Sequence, residues 1–310
     1  MNLIDAGRSR RGWSRIGNFF KCPQLFAYTS RLDIQLIPAD ALTRGSMGHV
    51  MQAHMHAQWG AAQGGVWVDE TYHTDPNDFL SPEDAVVAYC DQYGGFDHLD
   101  RMMDTFRNYC RQYPEPPGRV IAVEYPMTAT LGYVDGHWGL HVEREGVTIE
   151  PTPLEMPGHP EHGKPIQMTR RIDMTVRDRF GRIFIWDHKN QAYVSPKKSV
   201  DAYAIDGGFA AFRIMGAQLY GESFGGLMLN LIQTTSPWRV ARPTVPPTPH
   251  RDRHFAKMLW RAEHDIARLD LEEPNYWEWP KAQHETTCFG RYGSCPAARG
   301  CFFGKIGLAE

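Results

Sequence analysis

The spacing of the hydrophobic residues changes near residue 119. Before that point, apolar residues recur at helical spacing. This pattern predicts helices over residues 14–30, 43–60 and 81–93, and another that resumes after the glycines at residues 94 and 95. The segment "PEPPGR" at residues 114–119 marks a boundary. Shorter apolar runs follow it and predict strands over residues 119–127, 166–178, 181–190 and 225–235, with "DRFG" as the turn between the second and third.

Helical patterns return within and after these strands. They cover residues 198–222 and about 252–269. The order of helices, strands, helix, strand and helix predicts an α/β fold with a mixed central sheet flanked by helices. We expect one domain, with a mainly helical part over residues 1–118, an α/β core over 119–270 and a cysteine-rich end over 271–310.

Two charges close the apolar run "RIFIWDHKN". Asp187 and Lys189 are two residues apart on a predicted strand and therefore point to the same face. Isolated buried charges are costly, but a carboxylate that binds Mg²⁺ or Mn²⁺ beside a lysine is chemically reasonable. Asp173 lies in the preceding predicted strand, so an antiparallel hairpin would let both aspartates share one ion. The alternative is a surface salt bridge, which is common for so short a motif.

The segment "RIDMTVRDRFGRIFIWDHKN" resembles the core of the PD-(D/E)XK nuclease superfamily in its RecB-like branch. "RGSMGHVMQAH" is similar to the upstream helix of that branch, in which a histidine, here His49, is a metal ligand. "GAQLYG" is similar to its downstream helix and matches Gln218 and Tyr220, with Gly216 in the place of an earlier glutamine.

The resemblance implies a restriction-endonuclease-like core and a set of site residues. The implied metal ligands for Mg²⁺ or Mn²⁺ are His49, Asp173 and Asp187. The implied catalytic residues are Asp173, Asp187, Lys189, Gln218 and Tyr220.

His49 in this set, and Glu124 outside it, also have ordinary structural explanations. A helical histidine such as His49 is more often a structural or surface group than a ligand, and His54 and His56 lie on the same predicted helix. Glu124, in "AVEYP", could be an additional ligand. We expect it instead to be a solvated strand end.

Four cysteines form a second candidate centre. Cys288, Cys295 and Cys301 lie in the glycine-rich segment "CFGRYGSCPAARGC", and Cys22 lies in "KCPQLF" near the other end of the chain. This arrangement resembles the iron–sulfur subgroup of the same nucleases, which includes CRISPR-associated exonucleases and AddB-type nuclease domains. The resemblance implies a 4Fe–4S cluster that joins the two ends of the domain.

The spacing of these cysteines departs from the subgroup. The C-terminal three follow a C-x6-C-x5-C pattern, whereas the subgroup begins with C-x-x-C. Zinc accepts the same four thiolates and remains an alternative. Cys90 and Cys110 lie in predicted helices and are expected to be ordinary core residues.

Composition excludes little. A net charge of −3 neither indicates nor excludes a nucleic-acid partner. No apolar run approaches membrane-spanning length, and we expect a cytoplasmic protein with no membrane partner.

Candidate phosphate-binding segments are residues 8–15, 170–171, 197–198 and 251–257, with Trp13 and Trp238 nearby for base stacking. Most such basic runs are solvated surface.

These observations together predict a metal-dependent deoxyribonuclease, most simply an exonuclease, that hydrolyses phosphodiester bonds with metal-activated water. Its expected substrate is DNA, as single strands or ends. The chain has no helicase phosphate-binding loop, so any unwinding would need a helicase or a recombination or repair partner. Two alternatives stay open: a catalytically silent family member, or a metal-stapled adaptor that serves as a nucleic-acid-binding or assembly subunit.

Overall fold

The computed structural model describes residues 3–4, 11–32, 34, 40–282, 285–290, 293–295, 297 and 301. Residues 8–10 of the predicted basic segment 8–15 lie outside them. The helices are α1 (Trp13–Lys21), α2 (Pro23–Ser30), α3 (Asp40–Ala62), α4 (Pro82–Tyr93), α5 (Leu99–Gln112), α6 (Pro196–Ala204), α7 (Gly207–Tyr220), α8 (Pro249–Glu272) and α9 (Glu285–Cys288). None of the described helices has the length and apolarity required to cross a membrane.

The strands fall mainly in the middle of the chain. They are β1 (Val66–Val68), β2 (Thr71–His73), β3 (Arg119–Val134), β4 (His137–Val142), β5 (Glu150–Pro151), β6 (Gln167–Arg177), β7 (Ile183–Gln191), β8 (Phe224–Gln233), β9 (Val240–Ala241), β10 (Thr244–Val245), β11 (Phe289–Gly290) and β12 (Gly293–Ser294). The chain forms two compact units. The first contains Met1–Ser9, Asp40–Met127 and Arg170–Asp252, and the second contains Arg10–Ala39, Thr128–Thr169 and Arg253–Glu310.

The first unit is built on a mixed sheet. Its strand order is β10-β8-β7-β6-β3-β1-β2. The β6–β7 hairpin is antiparallel, whereas β7 with β8 and β1 with β3 are parallel pairs. A parallel pair needs a crossover between its strands, and α6 and α7 supply it between β7 and β8. The α/β fold with a mixed central sheet is therefore confirmed.

Helices cover both faces of this sheet. Ala53, Ala57 and Ala61 of α3 pack in one apolar cluster with Met174 and Trp186. Small alanines allow the helix to lie close to the strands. α7 packs on the opposite face, where Gly216 approaches the side chains of Ile185 and Phe224. Residues 185 and 186 thus serve opposite layers, as strand alternation requires.

A second apolar cluster lies between α3, α4 and α5. It contains Met47 and Met51 from α3, Cys90 from α4, and Met102 and Phe106 from α5. Cys90 is 1% exposed, and Cys110 packs against the same cluster. Both thiols are therefore core residues, as the sequence predicts.

The second unit brings the two ends of the chain together. Arg15 of α1 donates two hydrogen bonds to the Glu263 carboxylate at 2.5 and 3.0 Å. Arg31, which follows α2, donates two to Asp270 at 2.9 and 2.6 Å. Bidentate arginine–carboxylate pairs are geometrically specific. The N-terminal helices are thus held against α8 by side chains other than the cysteines.

Two predicted helices are each divided in the structure. The prediction of one helix over residues 14–30 is wrong at Cys22, which is extended with φ −166° and ψ 114°. Pro23 is the cause, because a proline disfavours helical geometry in the residue before it. The predicted helix over residues 198–222 ends at Ala204 and restarts at Gly207. Asp206 caps the restart by accepting from Gly208 N at 2.8 Å and Phe209 N at 3.2 Å.

Gly216 sets how closely α7 approaches the sheet. A Cβ at this position would lie 2.6 Å from the Phe224 ring and 2.8 Å from Ile185 Cδ1. A longer side chain such as glutamine would force α7 away from β7 and β8. Close packing therefore explains why residue 216 is a glycine, whereas the nuclease family that the sequence resembles has a glutamine at this position.

We expect Gly216→Ala to lower the free energy of unfolding by about 1 kcal/mol. Overpacking costs ~1–3 kcal/mol, and the better helix propensity of alanine returns ~1 kcal/mol. Gly45→Ala is the matched control, because nothing lies within 4 Å of a Cβ built at that helical position. That control should gain up to ~1 kcal/mol. Urea unfolding monitored by circular dichroism measures both changes, and equal stabilisation by both variants would contradict the packing argument.

Candidate metal centre

The two aspartates of the hairpin lie on adjacent strands. Met174 of β6 is paired with Trp186 of β7, and continuing that register by one residue sets Asp173 opposite Asp187. Asp173 Oδ2 accepts a hydrogen bond from the backbone N–H of His188 at 2.6 Å. This bond orients the Asp173 carboxylate and partly neutralises it.

Three side chains converge at the end of this hairpin. In the described part of the chain, His49, Glu124 and Asp173 form the only group of three or more potential metal ligands whose ligand atoms all lie within 4.8 Å of one another. His49 Nδ1 is 3.6 Å from Asp173 Oδ2. Two carboxylates and one imidazole are a suitable ligand set for Mn²⁺ and a tolerable one for Mg²⁺. The residues present therefore fit a divalent cation.

Gly48 allows His49 to reach this point. A Cβ on Gly48 would lie 2.3 to 2.7 Å from the side-chain amide of Asn190 in β7. Only a glycine permits this close approach of α3 to the strand. The glycine before His49 therefore meets a packing requirement and also lets this potential ligand approach the strand.

Glu124 corrects an expectation from the sequence. The expected solvated strand end is wrong, because β3 continues to Val134 and Glu124 is only 4% exposed. Its backbone is left-handed, with φ 48°, in the middle of a strand. This conformation is strained for any residue other than glycine, and residues that adopt it are more frequent at functional sites. The irregularity interrupts side-chain alternation and places the carboxylate beside His49 and Asp173.

Asp187 and Lys189 form a partly buried ion pair. Lys189 Nζ lies 2.5 Å from Asp187 Oδ2, and the Asp187 side chain is 9% exposed. Burial raises the pKa of Asp187, and the Lys189 charge opposes that change. Burial alone would lower the pKa of Lys189, but Asp187 reverses the effect and the pKa is raised overall. Lys189 is therefore a cation at neutral pH, and the structure pairs Asp187 with it. The role of Asp187 as a metal ligand stays a prediction.

A second cation lies near the same carboxylates. Arg170 carries its guanidinium 4.0 Å above the Phe212 ring, and burial lowers its pKa, although Asp187, Asp206 and Asp173 act in the opposite direction. Positive charge thus approaches the acidic pair from β6 as well as from β7. The site balances its carboxylates with two basic side chains.

A buried polar network lies behind the site on the α3 face of the sheet. His188 Nδ1 accepts from Asn230 Nδ2 at 3.0 Å, and the same amide donates to Tyr109 Oη at 3.1 Å. Arg242 Nη2 also donates to Tyr109 Oη, at 2.9 Å. Burial lowers the pKa of His188, and the neighbouring His56 ring, 4.9 Å away, lowers it further. The network holds the neutral His188 ring in place, and the backbone N–H of the same residue donates to Asp173.

The other predicted catalytic residues lie on α7. Gln218 and Tyr220 are both half-buried in its last turn. Tyr220 lies beside Thr175 and Tyr125, and burial raises its pKa. Their catalytic roles stay predictions.

Three of the four cysteines of the second unit form hydrogen bonds with Ala282 or Tyr28. Cys22 Sγ accepts from Ala282 N at 3.4 Å, and Cys288 Sγ donates to Ala282 O at 3.1 Å. Burial raises the pKa of Cys301, Tyr28 lowers it by hydrogen bonding, and Cys22 and Cys295 raise it further by their charge. All four thiols are free of disulfides.

The basic segments have mixed outcomes. Arg15 is committed to its ion pair with Glu263, and the Arg170 guanidinium is held inside the site. Lys197 and Lys198 are exposed at the start of α6. Phosphate binding by these segments stays a prediction.

Comparison with known proteins informs the fold. No protein-family model and no curated protein matches the chain. Among solved structures, a protein from Eubacterium rectale, described provisionally as an exonuclease, is similar over 100% of this chain and 97% of its own length. The TM-score is 0.51 and the sequence identity is 12%. At this identity the likeness shows a shared fold, and membership of the iron–sulfur nuclease branch stays a prediction.

Buried His56 should make the protein less stable in acid. Its ring is 0% exposed, and burial lowers its pKa from 6.5 to about 3. The unfolded chain therefore takes up this proton first as the pH falls. The stabilising contribution is complete above about pH 6.5 and is lost progressively between 6.5 and 3.

We expect His56→Gln to reduce the slope of unfolding free energy against pH by about 1 kcal/mol per unit near pH 5. Urea titrations between pH 5 and 7 measure it. His141→Gln is the control, because that ring is half-exposed on β4. An unchanged slope for His56→Gln would contradict the lowered pKa, because it would mean that the ring takes up its proton equally in the folded and unfolded chains.

Proposed function

We propose that this protein is a divalent-metal-dependent nuclease that hydrolyses phosphodiester bonds in DNA. The observation that carries the proposal is the convergence of His49, Glu124 and Asp173 beside the Asp187–Lys189 pair. The resemblance of the hairpin sequence supports DNA as the substrate, and the fold is similar to that of a protein described provisionally as an exonuclease.

The ligand trio would hold Mg²⁺ or Mn²⁺, which when bound supplies a Lewis acid for the phosphoryl oxygen and lowers the pKa of water. The chain contributes orientation and charge. The His188 N–H keeps the Asp173 carboxylate directed at the trio, and the left-handed backbone of Glu124 brings the third ligand from β3. Both features are present without substrate, so the carboxylates need little reorganisation during the reaction.

Lys189 is proposed to stabilise negative charge instead of accepting a proton. Its raised pKa keeps it protonated at neutral pH. A partly exposed ammonium held by Asp187 is positioned to donate to a phosphate oxygen as negative charge grows on it. Asp187 then orients the lysine and becomes a further ligand candidate when the substrate competes for the ammonium.

We also propose that the four cysteines hold a 4Fe–4S cluster with a structural role. Cys22 and Cys288 share Ala282, and Cys301 lies beside Tyr28 within electrostatic reach of Cys22 and Cys295. In the described part of the chain, no three of these sulfurs lie within 4.8 Å of one another. Tetrahedral zinc would need sulfurs about 3.8 Å apart, from Zn–S bonds of ~2.3 Å. A cubane, which binds each thiolate to a different iron, suits the wider arrangement better.

Purified protein with Mn²⁺ should degrade single-stranded DNA, and Glu124→Gln, Asp173→Asn and Lys189→Met should each lower the rate by about 100-fold or more. Loss of a single preorganised charge contact costs ~10²–10³ in rate. Time courses on 5′- and 3′-labelled oligonucleotides, single- and double-stranded, measure the rate and also the polarity.

The controls are Asp91→Asn and Lys164→Met, which change exposed side chains of the same types. They should keep wild-type rates. If Glu124→Gln and Asp173→Asn both cut DNA at the wild-type rate, the proposed metal centre is contradicted.

Cys288→Ala should abolish the cluster and destabilise the second unit. The cluster would close a loop of roughly 270 residues. Closing that loop lowers the chain entropy of the unfolded state by up to about 5 kcal/mol, and by less if the two bidentate arginine pairs already restrict the loop. Visible absorption and iron analysis of anaerobically purified protein, with thermal unfolding, measure the loss. Cys110→Ala is the matched control and should keep iron and absorption. Stoichiometric zinc without iron in the wild type would contradict the assignment.

A further inference from the structure

A cavity of about 420 Å³ opens in the first unit, separate from the ligand trio. It lies between the β1–β2 hairpin, β3, the end of β6 and the end of α7. Its functional lining consists of aromatic and basic side chains: Trp67, Tyr72, Arg119, Tyr125, Arg177 and Tyr220. No carboxylate contributes to the lining. This combination points to a ligand that has both a flat ring and negative charge.

The aromatic wall is exposed and fixed. Trp67 and Tyr72 are opposite each other on β1 and β2, with ring centroids 5.2 Å apart, and they are 46% and 48% exposed. The Tyr72 hydroxyl donates to Gly64 O at 3.1 Å. A Cβ on Gly65 would collide with that hydroxyl, so the glycine turn is shaped to the tyrosine ring. Two large rings held in place on a surface hairpin form a stacking platform.

The basic wall carries uncompensated charge. Arg119 begins β3 and Arg177 ends β6, and both side chains are exposed. Across the described residues, neither has an ion-pair partner, whereas the exposed Arg182 is paired with Asp178. Two unpaired guanidinium groups in a cavity without acids favour a phosphate.

The cavity continues the strand that supplies the metal ligand. Asp173, Thr175 and Arg177 are spaced two apart on β6 and therefore share one face. Four residues of strand span about 13 Å, close to the length of four stacked nucleotides at ~3.4 Å each. Tyr125 directly follows Glu124 on β3, and Tyr220 lies beside Thr175. Thr175 between them is fully buried, so a DNA strand that occupied both places would bridge them without contacting the β6 face itself.

We propose that this cavity binds a nucleotide of single-stranded DNA a few positions from the phosphate at the metal centre. The base stacks on Trp67 and Tyr72, and the adjoining phosphate pairs with Arg119 and Arg177. Duplex bases already stack on each other and do not offer their faces to such a platform. The inference rests on the proposed function in taking DNA as the ligand.

Binding without cleavage tests the cavity directly. Fluorescence anisotropy of a labelled oligo-thymidine, in buffer without added divalent metal, gives the dissociation constant. Trp67→Ala should weaken binding by about fivefold or more, the lower bound for loss of one stacked base. Arg119→Gln and Arg177→Gln should each weaken binding and lower the slope of log affinity against log salt by about 0.7. A variant that merely disturbed packing would not change that slope by one counterion.

Two variants control for exposure and charge. Tyr133→Ala removes a ring that is 47% exposed on β3 outside the cavity lining, and Arg107→Gln removes an exposed arginine of α5. Both should bind as the wild type does. Trp67→Phe should keep affinity within about threefold, because phenylalanine still stacks, yet it should lose the tryptophan quenching that DNA causes in the wild type.

The outcomes separate this inference from the proposed nuclease. If the wild type cuts DNA and all three cavity variants bind as it does, the cavity assignment fails and the nuclease stands. If the cavity variants lose affinity although no protein cuts DNA, the cavity stands and the nuclease fails. Preference for duplex over single strands, or no binding by the wild type at low salt, would overturn the cavity assignment.

Discussion

Repulsion between two partly buried aspartates is the constraint around which the first unit is organised. Asp173 and Asp187 fall opposite each other on adjacent strands, and their side chains are only 14% and 9% exposed. Carboxylates this close do not both ionise without compensating charge. The His188 N–H compensates Asp173, and Lys189 compensates Asp187. Glu124 adds a third carboxylate beside Asp173, which makes a divalent cation the natural completion of the cluster.

The backbone is adapted to keep these groups together. Gly48 lets α3 approach β7 closely, and the left-handed residue Glu124 redirects β3 inwards. On the opposite face, Gly216 lets α7 lie against β7 and β8. Each device carries a conformational or packing cost that a purely structural sheet would avoid. Strain and close approach concentrated around one group of ligands indicate a site whose geometry matters more than local stability.

Part of the candidate site could be predicted from the sequence, because that part follows from local periodicity. Strand alternation and the short "DRFG" turn are enough to bring Asp173 near Asp187 and to put Lys189 on the same face. The break at Cys22 has a local signal in Pro23, although the prediction of one helix over residues 14–30 overlooks it. Glu124 was not, because its place in the site depends on a left-handed backbone inside a strand, and no residue pattern in "AVEYP" specifies that. The pairing of the chain ends by Arg15 and Arg31 depends on contacts more than 200 residues apart and has no local signal.

The central claim is that His49, Glu124 and Asp173 bind one divalent cation, and the most direct measurement is a crystal structure with Mn²⁺ and its anomalous scattering. The account predicts a single strong anomalous peak within coordination distance of all three side chains in the wild type, and its loss in Glu124→Gln. A crystal saturated with Mn²⁺ that showed no peak there, or one that showed a peak held by Asp187 without Glu124, would contradict it.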